Sequence, residues 1–332
     1  MTSKILSYKQ LELVNALDKA RDRRVWAVVD VKVKNMLPQW LQFSPEVFWL
    51  HRPEDQKNID VYAEATEFFL KQGIQRGHRV FGIGGGATTD LAGFIAGTTH
   101  RGVEWIAVPT SLMGMVDAAI GGKTAINTKL GKNLLGCFHE PEEVWICSDF
   151  LRTLPSQDLM SGKGEIVKYG LLNTEINSLI LTKNMSLEEL ALKCASYKQE
   201  VVSRDLHEKG ERIFLNFGHT IGHALEFVLK IPHGIAIMMG MKYMLMAMEQ
   251  KAMLVEFEKL VKKLDIDAEK LDLANYARFD KADFWSTMSH DKKRDQADLK
   301  LIVLNEIGKP EILPMTLTQL RHKLEAINVF KG

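Results

Sequence analysis

Hydrophobic positions change their period partway along this chain. Residues 25–29 form a short apolar run ending at Asp30, 47–50 form a second, 79–83 run into Gly84-Gly85-Gly86, and 105–108 run into Pro109. Short unbroken apolar runs bounded by turn residues predict strands buried on both faces. Between Asn58 and Gln72, Val61, Ala65, Phe68 and Phe69 recur at helical spacing, and Gly73 is placed to end that helix. Strand and helix in alternation predict a parallel sheet covered by helices. After Leu154-Pro155 the period turns helical, as at Leu254, Phe257, Leu260, Val261 and Leu264. Only 299–304 reads as a late strand, with a turn at Gly308. The pattern predicts an α/β domain over 1–153 and a mainly α-helical domain over 154–332, with a cleft between them as the natural ligand site.

Composition narrows the partners. A chain of 332 residues is long enough for two cores. With 43 basic and 42 acidic residues, its net charge of +1 provides no global field toward nucleic acid or a membrane surface. No apolar run approaches the roughly 20 residues of a membrane span, and the N-terminus lacks the apolar run of a signal peptide. Cys137, Cys147 and Cys194 are odd in number and widely spaced, which predicts reduced thiols and a cytoplasmic protein.

Anion binding must then come from local clusters. Gly84-Gly85-Gly86 follows a strand and opens a helix, where backbone N–H groups and the helix dipole favour a pyrophosphate. It is not the GxGxxG fingerprint, and taken alone a triple glycine is as well explained by a tight turn. Asp30, at the end of the first strand, is placed to accept from ribose hydroxyls or simply to start a turn. Arg101-Gly102, Gly122-Lys123 and Gly131-Lys132-Asn133 set cations in tight backbone turns, as phosphate or carboxylate recognition requires. Gly121-Gly122-Lys123-Thr124 is not a P-loop, because Met115-Val116-Asp117 stands where its first glycine belongs.

The helical half carries a second chemistry. Glu165 and Lys168 are three apart and His219 and His223 four apart, each pair on one helical face, and His233 follows fourteen residues after His219. One carboxylate and two imidazoles with an open position suit a catalytic zinc. Spacing alone leaves open which histidine is not a ligand. Lys198, Arg212 and Asn216 add polar groups for an anionic ligand.

Read together, GGGATTDLAGF (84–94), RGVEWIAVPTSL (101–112), VDAAIGGKTAIN (116–127), LGKNLLGCF (130–138), GEIVKYG (164–170), RIFLNFGHTIGH (212–223), HG (233–234) and HDKK (290–293) resemble the 3-dehydroquinate synthases over nearly the whole chain. The resemblance implies a Rossmann-like α/β domain followed by a helical metal-binding domain. It implies Glu165, His219 and His233 as metal ligands for zinc or cobalt, and His223 as a substrate-side group. Asp117, Lys123, Asn133, Lys168, Lys198, Arg212, Asn216 and a lysine of the Lys292-Lys293 pair, Lys292 foremost, match substrate contacts. Arg101 matches a phosphate-binding arginine donated across a homodimer interface. Asp30, Glu54, Lys57, Gly85, Gly86, Asp90, Thr110 and Ser111, with Lys123 and Lys132 beside them, match nucleotide-binding positions for NAD.

The implied substrate is a small anionic sugar phosphate, 3-deoxy-D-arabino-heptulosonate 7-phosphate. It would be oxidised transiently by NAD, lose phosphate, be reduced again and close by an intramolecular aldol step to 3-dehydroquinate. The alternatives are another sugar-phosphate cyclase or a metal-dependent polyol dehydrogenase of related fold. The chain departs from the family pattern at Ile235, where glutamate is usual, and at Thr89, where glycine is frequent. A missing polar neighbour beside His233 predicts an altered orientation of that ring.

Overall fold

The apolar runs of the first half become strands. The computed structural model describes residues 3–21, 25–276, 279–290 and 299–327. The strands are β1 (Lys4–Tyr8), β2 (Val25–Asp30), β3 (Val47–Leu50), β4 (Arg79–Gly84), β5 (Glu104–Pro109), β6 (Lys123–Thr128), β7 (Gly131–Phe138), β8 (Glu143–Cys147), β9 (Leu299–Glu306) and β10 (Lys309–Met315). Six of them form one parallel sheet in the order β1-β8-β5-β4-β2-β3. Every residue of β2 is buried, as are all but the first of β4 and of β5. Strands covered on both faces need apolar residues at successive positions, which is why these runs do not alternate.

The chain order across this sheet reverses between β2 and β4. From β2 the chain moves outward to β3, then returns to place β4, β5 and β8 successively on the other side. The carboxyl ends of the strands beside such a switch point are where open α/β sheets bind ligands. Asn58 caps the helix Ile59–Lys71 by accepting from Asp60 and Val61, and Gly73 beyond its end has φ +83°.

Two strands of the sheet and a hairpin escape the pattern reading. β1 is only partly buried, and β8 completes the sheet beside it. β6 and β7 pair antiparallel in a separate hairpin, with β7 largely exposed. β10 pairs with β9 around Gly308 and contains Pro310 and Pro314, residues that count against a strand in a single-sequence reading.

The chain divides into two compact units, Met1–Pro155 with Leu187–His207, and Ser156–Ser186 with Glu208–Gly332. A single cut near 153 therefore misses one excursion. The helix Leu187–Arg204 belongs to the first unit, where it packs on the short π-helical turn Gly114–Ala118. Lys198, read above with the helical half, goes with it.

In the second unit, glycines let three helices approach backbone to backbone. A Cβ on Gly164, in the helix Ser156–Leu172, would lie 2.5 Å from the Gly234 carbonyl oxygen. One on Gly234, in the helix His233–Ala247, would collide with the Ser161 backbone. A Cβ on Gly240 would meet Gly222 N at 2.7 Å, so the helix His219–Leu229 lies equally close. No larger residue fits these crossings, and each is next to or one turn from a metal-type side chain. Among the described residues no helix is long and apolar enough to cross a membrane.

Candidate active site

In the first unit, candidate residues collect along the carboxyl edge of adjacent strands. Asp30 ends β2 and accepts from Lys32 N at 3.0 Å. Gly85 caps the helix Gly86–Thr98 directly after β4. Thr110 and Ser111 follow β5, with Thr110 N donating to Gly84 O at 2.8 Å. A Cβ on Gly86 would lie 3.0 Å from that of Ala118, tighter than most real Cβ contacts, so a larger residue would crowd this turn. The helix opening beside that turn adds a positive dipole end.

One polar cluster ties this edge together. Buried Lys57 donates from Nζ to Asp90 Oδ2 and to Asn133 Oδ1, each at 2.7 Å. Asn133 sits at φ +56°, a conformation asparagine tolerates better than most residues. Burial pushes the Asp90 carboxyl up to about 6, against the opposing pull of the Lys57 ammonium. Lys198 donates to both Asp117 O, at 2.8 Å, and Asp117 Oδ1, at 2.7 Å. Arg101 is exposed at φ +67°, and Glu54, Lys123 and Lys132 are exposed as well.

The second unit assembles the other set. Glu165 is 0% exposed and Lys168, one turn on, is 1% exposed; their side chains form a buried ion pair. Glu165 Oε1 lies 3.7 Å from His233 Nε2 and 4.0 Å from His219 Nε2. His219, His223 and His233 offer ring nitrogens that all lie within 4.8 Å of one another. Burial, then the Lys168 charge, holds His219 well below the usual imidazole range, in the neutral form that binds metals. Burial would likewise lower His233, but the Glu165 and Glu226 carboxylates raise it to about 9. A neutral imidazole, a second imidazole with its proton held between carboxylates and a buried carboxylate within 4 Å form a donor set that fits a divalent metal ion. Arg212 is buried on the short helix Glu211–Asn216, and Asn216 donates to Glu208. Lys292 and Lys293 lie outside the described residues.

Sequence reasoning missed one residue here. His233 Nδ1 donates to Glu226 Oε2 at 2.8 Å. Glu226 is seven residues after His219 and three after His223, hence on the same helical face, and that i, i+4, i+7 spacing is the signal that identifies it. The expected loss of a polar neighbour at Ile235 is corrected accordingly. Ile235 is buried, and a carboxylate from the preceding helix engages the ring instead.

A parallel sheet with a glycine turn at its switch point, followed by a helical unit with a histidine and carboxylate cluster, is a fold that this chain shares with solved sugar-phosphate cyclases and, less closely, with dehydrogenases. A crystal structure of 2-deoxy-scyllo-inosose synthase complexed with carbaglucose-6-phosphate, NAD+ and Co2+ matches at a TM-score of 0.80, 24% identity, covering 97% of this chain and 96% of that one. ValA (2-epi-5-epi-valiolone synthase) from Streptomyces hygroscopicus subsp. jinggangensis 5008 with NAD+ and Zn2+ bound also matches at 0.80, with 19% identity and coverage of 99% and 97%. A probable glycerol dehydrogenase from Sinorhizobium meliloti 1021 matches at 0.65, with 15% identity and coverage of 99% and 97%.

Within that fold the sequence is more specific. Residues 47–161 match the 3-dehydroquinate synthase N-terminal family and residues 162–294 the 3-dehydroquinate synthase C-terminal family. A 3-dehydroquinate synthase of Staphylococcus carnosus (strain TM300) is 37% identical, over 91% of this chain and 88% of that protein. One of Streptococcus mutans serotype c (strain ATCC 700610 / UA159) is 34% identical over 92% and 88%. The chain belongs to the 3-dehydroquinate synthase family.

Proposed function

We infer that this chain catalyses the reaction of its family. It is a phosphate-eliminating carbon–oxygen lyase that converts 3-deoxy-D-arabino-heptulosonate 7-phosphate to 3-dehydroquinate and phosphate in the shikimate route to aromatic amino acids. The observation that carries the reading is the Glu165 carboxylate, fully buried beside two imidazoles, in a chain whose two halves each match this family. The cofactors are NAD and a divalent metal, zinc or cobalt. The cyclase structures holding NAD+ with Co2+ or Zn2+ and the donor set described above support this choice.

Glu165, His219 and His233 hold the metal; Asp30, Glu54, Lys57, Gly85, Gly86, Asp90, Thr110 and Ser111 form the nucleotide site, with Lys123 and Lys132 beside it. Bound there, the metal would supply Lewis acidity toward the hydroxyl to be oxidised, and NAD would supply a reversible hydride acceptor. His223, exposed and one turn from His219, moves a proton on the substrate side. Lys168 Nζ, anchored on the Glu165 carboxylate, keeps protons at a fixed point from which to donate to a developing oxyanion. Lys123 and Arg101 stabilise the departing phosphate, the guanidinium fork matching its oxygens in pairs. Asp117, Asn133, Lys198, Arg212, Asn216 and Lys292 orient the remaining polar groups of the substrate.

The chain acts as a homodimer in the cytoplasm, with Arg101 reaching the partner's site. Two observations support this. Leu130 is 92% exposed, with Leu134, Leu135 and Phe138 also exposed, all on one hairpin, and Cys137, Cys147 and Cys194 are thiols outside any disulfide. Refolding an Arg101→Ala variant with a Lys168→Ala variant should then restore part of the activity that each lacks alone. Mixed dimers without recovery would place Arg101 in its own subunit's chemistry.

The decisive assay supplies the heptulosonate phosphate, NAD+ and Zn2+ or Co2+, and scores phosphate and NADH together. Phosphate release without net NADH is the expected result. Accumulating NADH would make the chain a dehydrogenase, and neither product would overturn the reading.

A further inference from the structure

A histidine presents one ring nitrogen to a ligand and fixes which one by what it does with the other. His233 stands at the start of the helix His233–Ala247, directed toward Glu165 and the other two histidines through Nε2. Its Nδ1 is 2.8 Å from Glu226 Oε2. A carboxylate accepting from Nδ1–H stabilises the tautomer whose lone pair is on Nε2, and prevents the ring from turning that nitrogen away. No side chain next to it in the chain carries such an acceptor, since Pro232 precedes His233 and Gly234 and Ile235 follow it.

Glu226 reaches the ring from another helix, His219–Leu229, whose own His219 and His223 face the same cluster. The Gly222–Gly240 crossing holds these two helices at backbone contact, so the Glu226–His233 distance is set by the helix packing. The Glu226 side chain is 22% exposed, so the hydrogen bond is shielded but not sealed.

We propose that Glu226 is the positioning residue of the metal centre: through His233 Nδ1 it selects the tautomer and orientation in which His233 Nε2 serves as a ligand. This rests on the metal reading given above. It further assigns to Glu226, on the preceding helix, the orienting role expected of a polar residue at Ile235. The two helices then act as one device, the first contributing His219 together with the group that aims the ligand of the second.

The test compares metal binding with metal-free stability in Glu226→Leu, Glu226→Gln and the unaltered protein. Zn2+ affinity is read by competition with a chromophoric chelator, Co2+ coordination by its visible absorption spectrum, and Tm is recorded on metal-free samples. Removing the acceptor in Glu226→Leu should weaken Zn2+ binding about 10–100-fold, the range for loss of an outer-shell partner, and alter the Co2+ spectrum at little change in metal-free Tm. The Gln variant retains an accepting oxygen and should recover most of the affinity, a rescue that loss of packing alone would not produce. Equal Zn2+ affinity in all three proteins, with an unchanged Co2+ spectrum, overturns the proposal. So does a loss of affinity that tracks a loss of metal-free Tm equally in both variants. If Glu226→Leu does not fold, Glu226→Ala, which also removes the acceptor, takes its place in the same comparison of affinity, Co2+ spectrum and metal-free Tm. Failure of the unaltered protein to bind either metal would instead overturn the metal reading itself.

Discussion

The strand-edge cluster of the first unit and the histidine cluster of the second are assembled by different means. Along the sheet edge, the candidate groups are strand ends and the turns that follow them: Asp30 after β2, Gly85 and Gly86 after β4, Thr110 and Ser111 after β5. Parallel pairing alone puts these in a row, so a motif read along the chain already contains their geometry. The histidine cluster instead draws on side chains from three helices, Ser156–Leu172, His219–Leu229 and His233–Ala247. Its geometry depends on helix crossings that only glycine permits, at Gly164, Gly234, Gly222 and Gly240. Local pattern therefore specifies the first kind of site, whereas tertiary packing specifies the second.

The largest expected effect breaks the second cluster at its centre. Glu165→Ala or His219→Ala should remove bound metal and lower turnover by at least ~10³-fold, since an incomplete donor set loses both affinity and Lewis acidity. Metal analysis of the purified variants checks this, and full stoichiometric metal in both would remove these residues from the ligand set. Glu165→Ala also strands Lys168 as a buried cation, so a lower Tm is expected there and not in His219→Ala.

His223→Ala divides the cluster more finely. Its ring nitrogen lies within the same 4.8 Å group, but the residue is exposed, whereas His219 and His233 stand 4.0 and 3.7 Å from the buried Glu165 carboxylate. The variant should keep its metal while its rate falls about 10²–10³-fold, the range of a proton-transfer group. A metal-free variant would make His223 a ligand and leave His233 as the substrate-side histidine.

Gly234→Ala tests whether crossings set the geometry. The added methyl meets the Ser161 backbone, which has no rotamer to escape by, so the helices must part. A destabilisation of about 1–3 kcal/mol is expected from such overpacking, with Zn2+ affinity weakened alongside it. Denaturant unfolding and chelator competition on one preparation measure both. Unchanged affinity at reduced stability would mean that the histidine cluster tolerates a looser crossing than its packing implies.

This contrast also explains what was legible in the sequence. The strands at 25–29, 47–50, 79–83 and 105–108 and the helix near 58–72 were readable because burial on both faces, or helical period, leaves a local trace. β1 and β10 were not: one is a half-buried edge strand and the other carries two prolines, and both are strands by virtue of their partners. Glu165, Lys168, His219 and His223 were visible as same-face pairs. Three placements depended on contacts distant in sequence. Lys57 bonds Asn133 across 76 positions, Lys198 returns to Asp117 across 81, and Glu226 meets His233 from the far side of a loop. Spacing can nominate such residues but cannot pair them.

The last expected effect, read only as a slope against pH, sharpens the first region. Asp90 keeps 17% side-chain exposure, and burial raises its carboxyl to about 6 although Lys57 lies 2.7 Å away. The folded chain thus holds this proton more tightly than the unfolded one, whose aspartates titrate near 3.9. Under linkage the contribution of Asp90 to stability is most favourable below pH ~4 and falls as the pH rises through about 6. Ionising it costs on the order of 2–3 kcal/mol at pH 7, each tenfold change in proton affinity being worth about 1.4 kcal/mol. In Asp90→Asn that part of the pH dependence should vanish. Between pH 4 and pH 7 the unaltered protein should lose stability relative to the variant by about that amount, whatever the constant penalty of leaving Lys57 without its carboxylate. Urea unfolding of nucleotide-free protein at several pH values measures the difference in slope, which is insensitive to that offset. Parallel stability profiles would show that Lys57 fully offsets the burial of Asp90, so that the carboxylate is ionised throughout. The strand edge would then present a closed ion pair to any nucleotide. A sloping difference would instead mean that the Asp90 carboxylate is held ready for a hydrogen-bond donor, as a ribose hydroxyl would supply, and NAD should bind more weakly as the pH falls below 6.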